Sequence, residues 1–345
     1  MLFKELGKTG KQIPALGLGT WGIGGFEVPD YSKDEEHVEI LKKAIEMGYT
    51  HIDTAEYYAA GHTEELVGRA MKEFDRSELF VVSKVWPNHL KEKDLLNSLE
   101  KSLKRLQTDY IDLYLIHWPN PDVPLEETLS AMAKAVDDGL IKYVGVSNFN
   151  KRLLEEAVNK SRVPIVCDQV LYNVEEREPE KDGLLNFCQK EGITLVAYSP
   201  LNRGVLSVKT KETLEKIAKK YDATVYQIML AWLISKDNVV AIPKAGNIKH
   251  LKENLEALKI KLSRRFEEKL KNDILNVLKR NGFEADFNLL WGRILVYVPD
   301  EAAEIIKKVP GIVSISIAQE MEYDEIKPFL SNTGLIRNFQ RLPWI

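Results

Sequence analysis

Eight short apolar runs, most of them rich in β-branched residues, recur along the first 244 residues. They are ALGLGT (15–20), YTHIDT (49–54), LFVVSKV (79–85), DYIDLYLIHW (109–118), IKYVGVS (141–147), PIVCDQV (164–170), ITLVAYS (193–199) and NVVAIPK (238–244). Most begin roughly 25 to 35 residues apart, the length of one strand plus one crossover helix. The gaps carry helical periodicity. SKDEEHVEILKKAIEMG places Val38, Leu41, Ala44 and Ile45 on one face and stops at Gly48. KDLLNSLEKSLKRLQ and TLEKIAKKYDATVYQIMLAWLISK read in the same way, each as a periodic helical stretch. Strands this uniformly apolar are buried on both faces, as parallel strands are. Eight β/α units in about 250 residues predict an α/β protein, a (β/α)8 barrel of the TIM type, rather than an open sheet. No Gly-x-Gly-x-x-Gly turn follows the first strand of a βαβ unit, which counts against a Rossmann arrangement.

Composition narrows the partners. Over 345 residues, 48 basic and 52 acidic side chains leave a net charge of −4, with no electrostatic reason to expect nucleic acid or an anionic membrane. Two cysteines, Cys167 and Cys188, exclude a disulfide framework and suit a reducing compartment. The opening segment has no continuous apolar core of a signal peptide, and no apolar run reaches membrane-spanning length. A cytoplasmic protein is the expectation.

Polar residues close the apolar runs: Asp53, Lys84, His117, Ser147 with Asn148, Gln169, and Tyr198, with Tyr58 just beyond Asp53. In such a barrel the active site lies at the C-terminal ends of the strands. Each of these groups must find a partner at the barrel mouth. Tyr58 is the candidate general acid. Lys84 is expected to lower its pKa from the usual ~10. Asp53 is expected to pair with Lys84, and His117 to orient a carbonyl oxygen. Such a site needs a hydride source. No metal-ligand spacing or flavin signature supplies one, and no metal is expected.

Taken together, GLGTWGIGG (17–25), HIDTAEYY (51–58), VVSKVW (81–86), DLYLIHWP (112–119), VGVSNF (144–149), DQVLYN (168–173), VAYSPL (196–201) and IPKAGNIKHLKEN (242–254) resemble the aldo-keto reductase family. The resemblance runs from about residue 1 to about 262. It implies NADP(H) lying extended across the barrel mouth and a small-molecule carbonyl substrate. On matching positions it implies Tyr58 as acid, Lys84 and Asp53 as its tuning pair, and His117 as the orienting residue. Ser147, Asn148 and Gln169 would hold the carboxamide, with Tyr198 stacked on the nicotinamide. Gly19, Thr20 and Trp21 also fall at the cofactor, and Ser199, Pro200 and Leu201 along the pyrophosphate. Lys244, Asn247, His250, Glu253 and Asn254 would surround the adenosine and its 2′-phosphate. Trp21, Tyr57, Trp86 and Trp118 are the candidate substrate pocket. The segments PNPDVPLEE and LNRGVLS are short, which points to an open pocket.

Two positions depart from the family pattern. Ala245 stands where the family commonly has Ser, and His250 where it commonly has Arg. A neutral imidazole lacks the bidentate fork of a guanidinium, so NAD(H) use alongside NADP(H) enters the expectation.

Beyond residue 262 the chain continues into a second segment, 263–345. RRFEEKLKNDILNVLKRNG (264–282) reads as a helix, GRILVYV (292–298) as a strand, DEAAEIIKKV (300–309) as a helix and GIVSISIAQ (311–319) as a strand, with LKIKLS (258–263) a candidate first strand. This α+β order approaches a ferredoxin-like unit. RRFEEKL, GRILV and VPGIVSIS resemble the small ferredoxin-like domain that precedes the THUMP domain in tRNA 4-thiouridine synthetases. Residues 264–345 hold twelve basic and twelve acidic side chains, without the basic excess of an RNA-binding module. Packing or self-association through apolar residues such as Ile294, Val296, Ile305 and Ile312 is the expectation for the extension. The leading reading of the whole is an NADPH-dependent carbonyl reductase. The alternative is a nicotinamide-binding redox sensor whose extension contacts a partner or RNA.

Overall fold

The computed structural model describes residues 1–262, residue 280 and the segments 286–290 and 293–297. The chain divides into two compact units, 1–262 and 263–345.

Unit one opens with an antiparallel hairpin, β1 (Phe3–Glu5) and β2 (Gln12–Pro14). Eight parallel strands then run in sequence order around one sheet: β3 (Leu18–Gly19), β4 (His51–Asp53), β5 (Phe80–Val85), β6 (Ile111–Ile116), β7 (Ile141–Ser147), β8 (Ile165–Leu171), β9 (Thr194–Tyr198) and β10 (Val239–Ala241). Parallel bridges Leu16–Ala241 and Gly19–Lys244 join the last strand to the first, closing the predicted barrel. The intervening helices are α1 (Asp34–Glu46), α2 (His62–Met71), α3 (Glu92–Leu106), α4 (Leu125–Asp137), α5 (Lys151–Lys160), α6 (Glu178–Lys181), α7 (Leu184–Glu191), α8 (Val208–Lys220) and α9 (Val225–Ile234), with α10 (Ile248–Glu256) after β10.

Strand alternation sorts the apolar residues into two layers. Phe80, Val82, Leu113, Leu115, Val196, Val240 and Ile242 fill the barrel interior. Val81, Val85, Tyr114, Ile116, Leu195, Ala197, Val239 and Ala241 face the helices. Leu6 and Ile13 of the hairpin join the interior set. Because side chains repeat every two residues, the interior columns continue to Lys84, His117, Tyr198 and Lys244, which carries chemistry to the mouth.

Three expectations need correction. The periodic stretch 213–236 is two helices, because Asp222 adopts a left-handed φ of 49° and Thr224 starts a new helix with a capping box to Gln227. The last apolar run is regular strand only over Val239–Ala241, with an isolated bridge at Lys244 beyond Pro243, which has no N–H to donate. LKIKLS forms no strand over its described part: Ala257–Lys259 is a 3-10 turn, and Ile260 and Leu262 pack beside α8 and α9. Its apolar alternation is satisfied against helices instead.

In unit two, β11 (Asp286–Leu290) pairs antiparallel with β12 (Arg293–Tyr297), from Asp286–Tyr297 to Leu290–Arg293. The second of these lies within the predicted strand 292–298, and the first was not anticipated. The predicted helix 264–282 (apart from Arg280), helix 300–309 and strand 311–319 lie outside the described residues.

Candidate active site

Asp53, Lys84 and Tyr58 meet at the barrel mouth. Lys84 is fully buried at the end of its interior column. Its Nζ donates to Asp53 Oδ1 at 2.7 Å, to the Thr54 carbonyl at 2.8 Å and to the Tyr58 hydroxyl at 3.1 Å. Three oxygens take up the three donors of an ammonium. The other Asp53 oxygen accepts from Gln169 Nε2 at 2.7 Å. The Thr54 carbonyl is a partner that sequence reasoning missed, since nothing in a residue's identity advertises its backbone.

The pKa directions correct one expectation. Burial opposes the Lys84 charge, but Asp53 and Tyr58 outweigh it, and the Lys84 pKa is raised. For Tyr58 burial is the largest influence and exceeds the opposing pull of Lys84, so its pKa is raised, not lowered. Desolvating a phenolate in this pocket costs more than one ammonium, itself half-neutralised by Asp53, returns. Tyr58 therefore keeps its proton at neutral pH.

His117 lies beside these groups, 8% exposed, its ring edge-on to Tyr58 at 5.8 Å and to Trp86 at 5.2 Å. Burial, and secondarily Lys84, push its pKa down to about 2, so the imidazole is neutral. Its Nδ1 is buried without a hydrogen-bond partner among the described residues.

Tyr57 and Trp86 stack at 3.8 Å, and Trp21 meets Tyr58 edge-on at 4.9 Å. These three rings form one wall around Tyr58 and His117. Trp118 is not brought into that cluster; it is 44% exposed and makes no ring contact among the described residues. A buttress behind the wall was missed: Glu56 accepts from the Trp86 N–H at 2.6 Å and pairs with His89 at 3.0 Å.

The expected carboxamide group is a connected set. Ser147 Oγ donates to the Gln169 carbonyl at 2.7 Å, and Asn148 Nδ2 donates to the His117 carbonyl at 3.0 Å. The Tyr198 hydroxyl donates to Asn148 Oδ1 at 2.9 Å. Asn148 holds a left-handed φ of 62°, a conformation Asn tolerates. Thr20 donates through both Oγ1 and N–H to the Asp53 carbonyl, tying the end of β3 to the end of β4. Pro200 is buried and Leu201 packs on the core, while the Ser199 carbonyl accepts from Asn173 Nδ2 at 3.1 Å. Asn173 sits inside a motif read from the sequence, yet was not singled out.

At the other end of the mouth Lys244 is exposed, and no carboxylate pairs with it among the described residues. Asn247 caps α10 by accepting from the His250 N–H at 2.8 Å. Glu253 and Asn254 follow on that helix, with Asn254 buried beside Tyr49. The Lys244 ammonium stands three residues before the N-cap of α10, and the cation and the helix N-terminus both favour an anion. No group of three or more His, Cys, Asp or Glu among the described residues is arranged to hold a metal ion, and no described helix is long and apolar enough to cross a membrane.

The profile of the Aldo/keto reductase family matches residues 15–272. This chain belongs to the aldo/keto reductase family. It is 39% identical over 258 residues to methylglyoxal reductase YeaE of Escherichia coli K12, covering 73% of this chain and 87% of that protein. It resembles the crystal structure of a thermostable aldo-keto reductase, Tm1743, in complex with the inhibitor epalrestat. That similarity has 72% identity and a TM-score of 0.76, over 77% of this chain and 97% of the other. An aldo/keto reductase from Klebsiella pneumoniae in complex with NADP and acetate is similar at 38% identity and a TM-score of 0.70, over 78% and 94%. A ThiI ferredoxin-like domain profile matches residues 256–316.

Two buried neutral histidines in this aldo/keto reductase favour the folded state less as pH falls. An unfolded His titrates near ~6.5, whereas burial pushes His51 down to about 4 and His117 to about 2. The unfolded chain therefore binds protons that the folded chain does not. Their contribution is complete above pH ~6.5 and is lost as pH falls, by at most ~1.4 kcal/mol per pH unit for each. His62 acts with the opposite sign: burial lowers its pKa, but the hydrogen bonds it donates to Glu65 and Asp34 win and raise it. Its contribution is complete below pH ~6.5 and fades above that value. Among the histidines, two groups against one favour a loss toward acid, while the Asp168 and Glu64 carboxyls, whose pKa values burial raises, act with the opposite sign. Urea titrations of the wild type and His117→Gln at pH 6.5 and 5 should isolate the histidine share, with the wild type losing more stability toward acid than the variant.

Proposed function

We propose that this chain reduces small aldehydes and ketones to alcohols with NADPH. The observation that carries the reading is the buried Lys84 ammonium, bonded at once to Asp53 and to the Tyr58 hydroxyl. Asp53 holds the ammonium charged and oriented. As negative charge develops on the carbonyl oxygen, Tyr58 gives up its proton to that oxygen, and the nearby ammonium stabilises the phenolate left behind. The raised pKa keeps Tyr58 loaded before the reaction, which suits an acid. His117, held neutral, directs an N–H toward the same oxygen.

A bound reduced nicotinamide supplies the hydride that the carbonyl carbon receives. Ser147, Asn148 and Gln169 are the residues suited to its carboxamide, and Tyr198 offers a ring for stacking. Lys244 and the start of α10 suit the 2′-phosphate. The similarity to a methylglyoxal reductase and to an NADP-bound structure supports small dicarbonyls as substrates and NADP(H) as cofactor. Trp21, Tyr57 and Trp86 would bound such a substrate.

The test is a panel of aldehydes, ketones and dicarbonyls, followed by loss of reduced-nicotinamide absorbance. Turnover with methylglyoxal or another small dicarbonyl is expected. Cofactor binding with no turnover across the panel would instead favour the sensor reading.

His250 probes the phosphate end. Its ring faces Asn247 at 3.2 Å, and it offers no guanidinium fork. His250→Arg should shift kcat/KM preference toward NADPH over NADH by roughly tenfold, the scale of one charge-assisted hydrogen bond. An unchanged ratio would mean the 2′-phosphate binds elsewhere.

A further inference from the structure

Immediately after Tyr58 the backbone turns left-handed three times in succession, at Ala59 (φ 48°), Ala60 (φ 50°) and Gly61 (φ 96°). Two of these are alanines, whose left-handed well is small and unfavourable. Both sides of the turn are pinned. The Tyr58 N–H donates to the Ala55 carbonyl at 3.1 Å and the Ala60 N–H to the Tyr57 carbonyl at 3.2 Å. The buried Ala59 donates to the Phe26 carbonyl at 2.6 Å, and its own carbonyl accepts from the His62 N–H.

The far end of the turn is fixed as well. A Cβ on Gly61 would stand 2.7 Å from Arg105 Nε, so the arginine lies directly on the glycine. That Arg105 Nε donates to Glu64 Oε2 at 2.7 Å, and the other Glu64 oxygen accepts from Ser83. Ser83 is the neighbour of Lys84 on β5. A closed path of contacts therefore runs from the Tyr58 backbone through the turn, Arg105 and Glu64 to the strand that carries Lys84. The direct arm of the same loop is the Lys84–Tyr58 hydrogen bond.

We infer that the Ala59–Ala60–Gly61 turn positions the Tyr58 hydroxyl over Lys84, with Ala60 as its positioning residue. This inference rests on the reading of Tyr58 as the acid. Ala60 is exposed, so its methyl group contributes little packing. Its effect is conformational. Once the hydrogen bonds force φ positive, an alanine has one narrow basin, whereas glycine would spread over a broad one. The narrow basin holds Tyr58 in one place, and the cost falls on local backbone energy.

The experiment compares Ala60→Gly, Ala60→Asn and Tyr58→Phe. Asn tolerates the left-handed conformation without glycine's breadth, so Ala60→Asn should keep kcat within about twofold, far short of the hundredfold that a misplacement near 1 Å costs. Ala60→Gly should lower kcat about fivefold to tenfold, a partial loss on that same scale. Its KM for NADPH should not change and its Tm should be unchanged or higher. Three results would overturn the inference: an unchanged kcat in Ala60→Gly, equal losses in the Gly and Asn variants, or a fall in Tm that parallels the fall in kcat. Tyr58→Phe separates the two levels. If it loses activity while Ala60→Gly does not, only the role of the turn fails. If it keeps activity, the acid assignment fails and this inference with it.

Discussion

Tyr58→Phe is expected to lower the reduction rate by roughly two or more orders of magnitude, the scale of a general acid's contribution. NADPH affinity should stay unchanged, because the hydroxyl contacts Lys84 and not the residues suited to the nucleotide. Phenylalanine keeps the ring, so its edge contacts with Trp21 and His117 remain. The lost group is one hydroxyl, and with it the proton. Steady-state kinetics with a fluorescence titration of cofactor would separate the two effects. Near-normal kcat in the variant would remove Tyr58 from the chemistry.

Lys84→Met has the second large effect, and it is on stability. The Lys84–Asp53 pair lies in the barrel, 0% and 1% exposed. Removing the ammonium leaves the Asp53 carboxylate with Gln169 as its side-chain donor. Breaking a buried pair from one side costs about 3–5 kcal/mol, because the remaining charge is uncompensated. Replacing both partners, as in Asp53→Leu with Lys84→Met, should recover much of that loss while leaving the protein inactive. Denaturant unfolding of the single and double variants decides it. A single-variant loss below ~1 kcal/mol would place this pair with exposed ion pairs and contradict the burial argument.

The barrel was legible because its signal is repetitive. Runs such as LFVVSKV and DYIDLYLIHW are apolar on both faces and recur at the spacing of one β/α unit. The two-residue repeat of a strand then carried Lys84 and His117 to the mouth in register with Val82 and Leu115. What escaped the sequence was nonperiodic or made by the backbone. The N-terminal hairpin rests on six strand residues around a turn and fills the barrel bottom with Leu6 and Ile13. The break at Asp222 hid inside continuous apolar periodicity, since a capping box at Thr224 can restart a helix without disturbing the pattern. The Thr54 carbonyl and the left-handed Ala59–Ala60 turn are backbone features, and alanine gives no warning of a positive φ. The direction of the Tyr58 pKa depended on a balance of burial against one ammonium. Residue types name both influences but not which is larger. Trp118 was counted with the pocket from its position after His117; it lies 44% exposed beyond the end of β6, outside the ring cluster.

The most direct test of hydride transfer uses NADPH deuterated at the transferable position of the nicotinamide ring, with methylglyoxal as substrate and the wild-type protein. One deuterium, bonded to the carbinol carbon of the product, is expected for each NADPH oxidised, and almost none of either in Tyr58→Phe. An unlabelled alcohol, or deuterated cofactor that binds and is never oxidised, would contradict it.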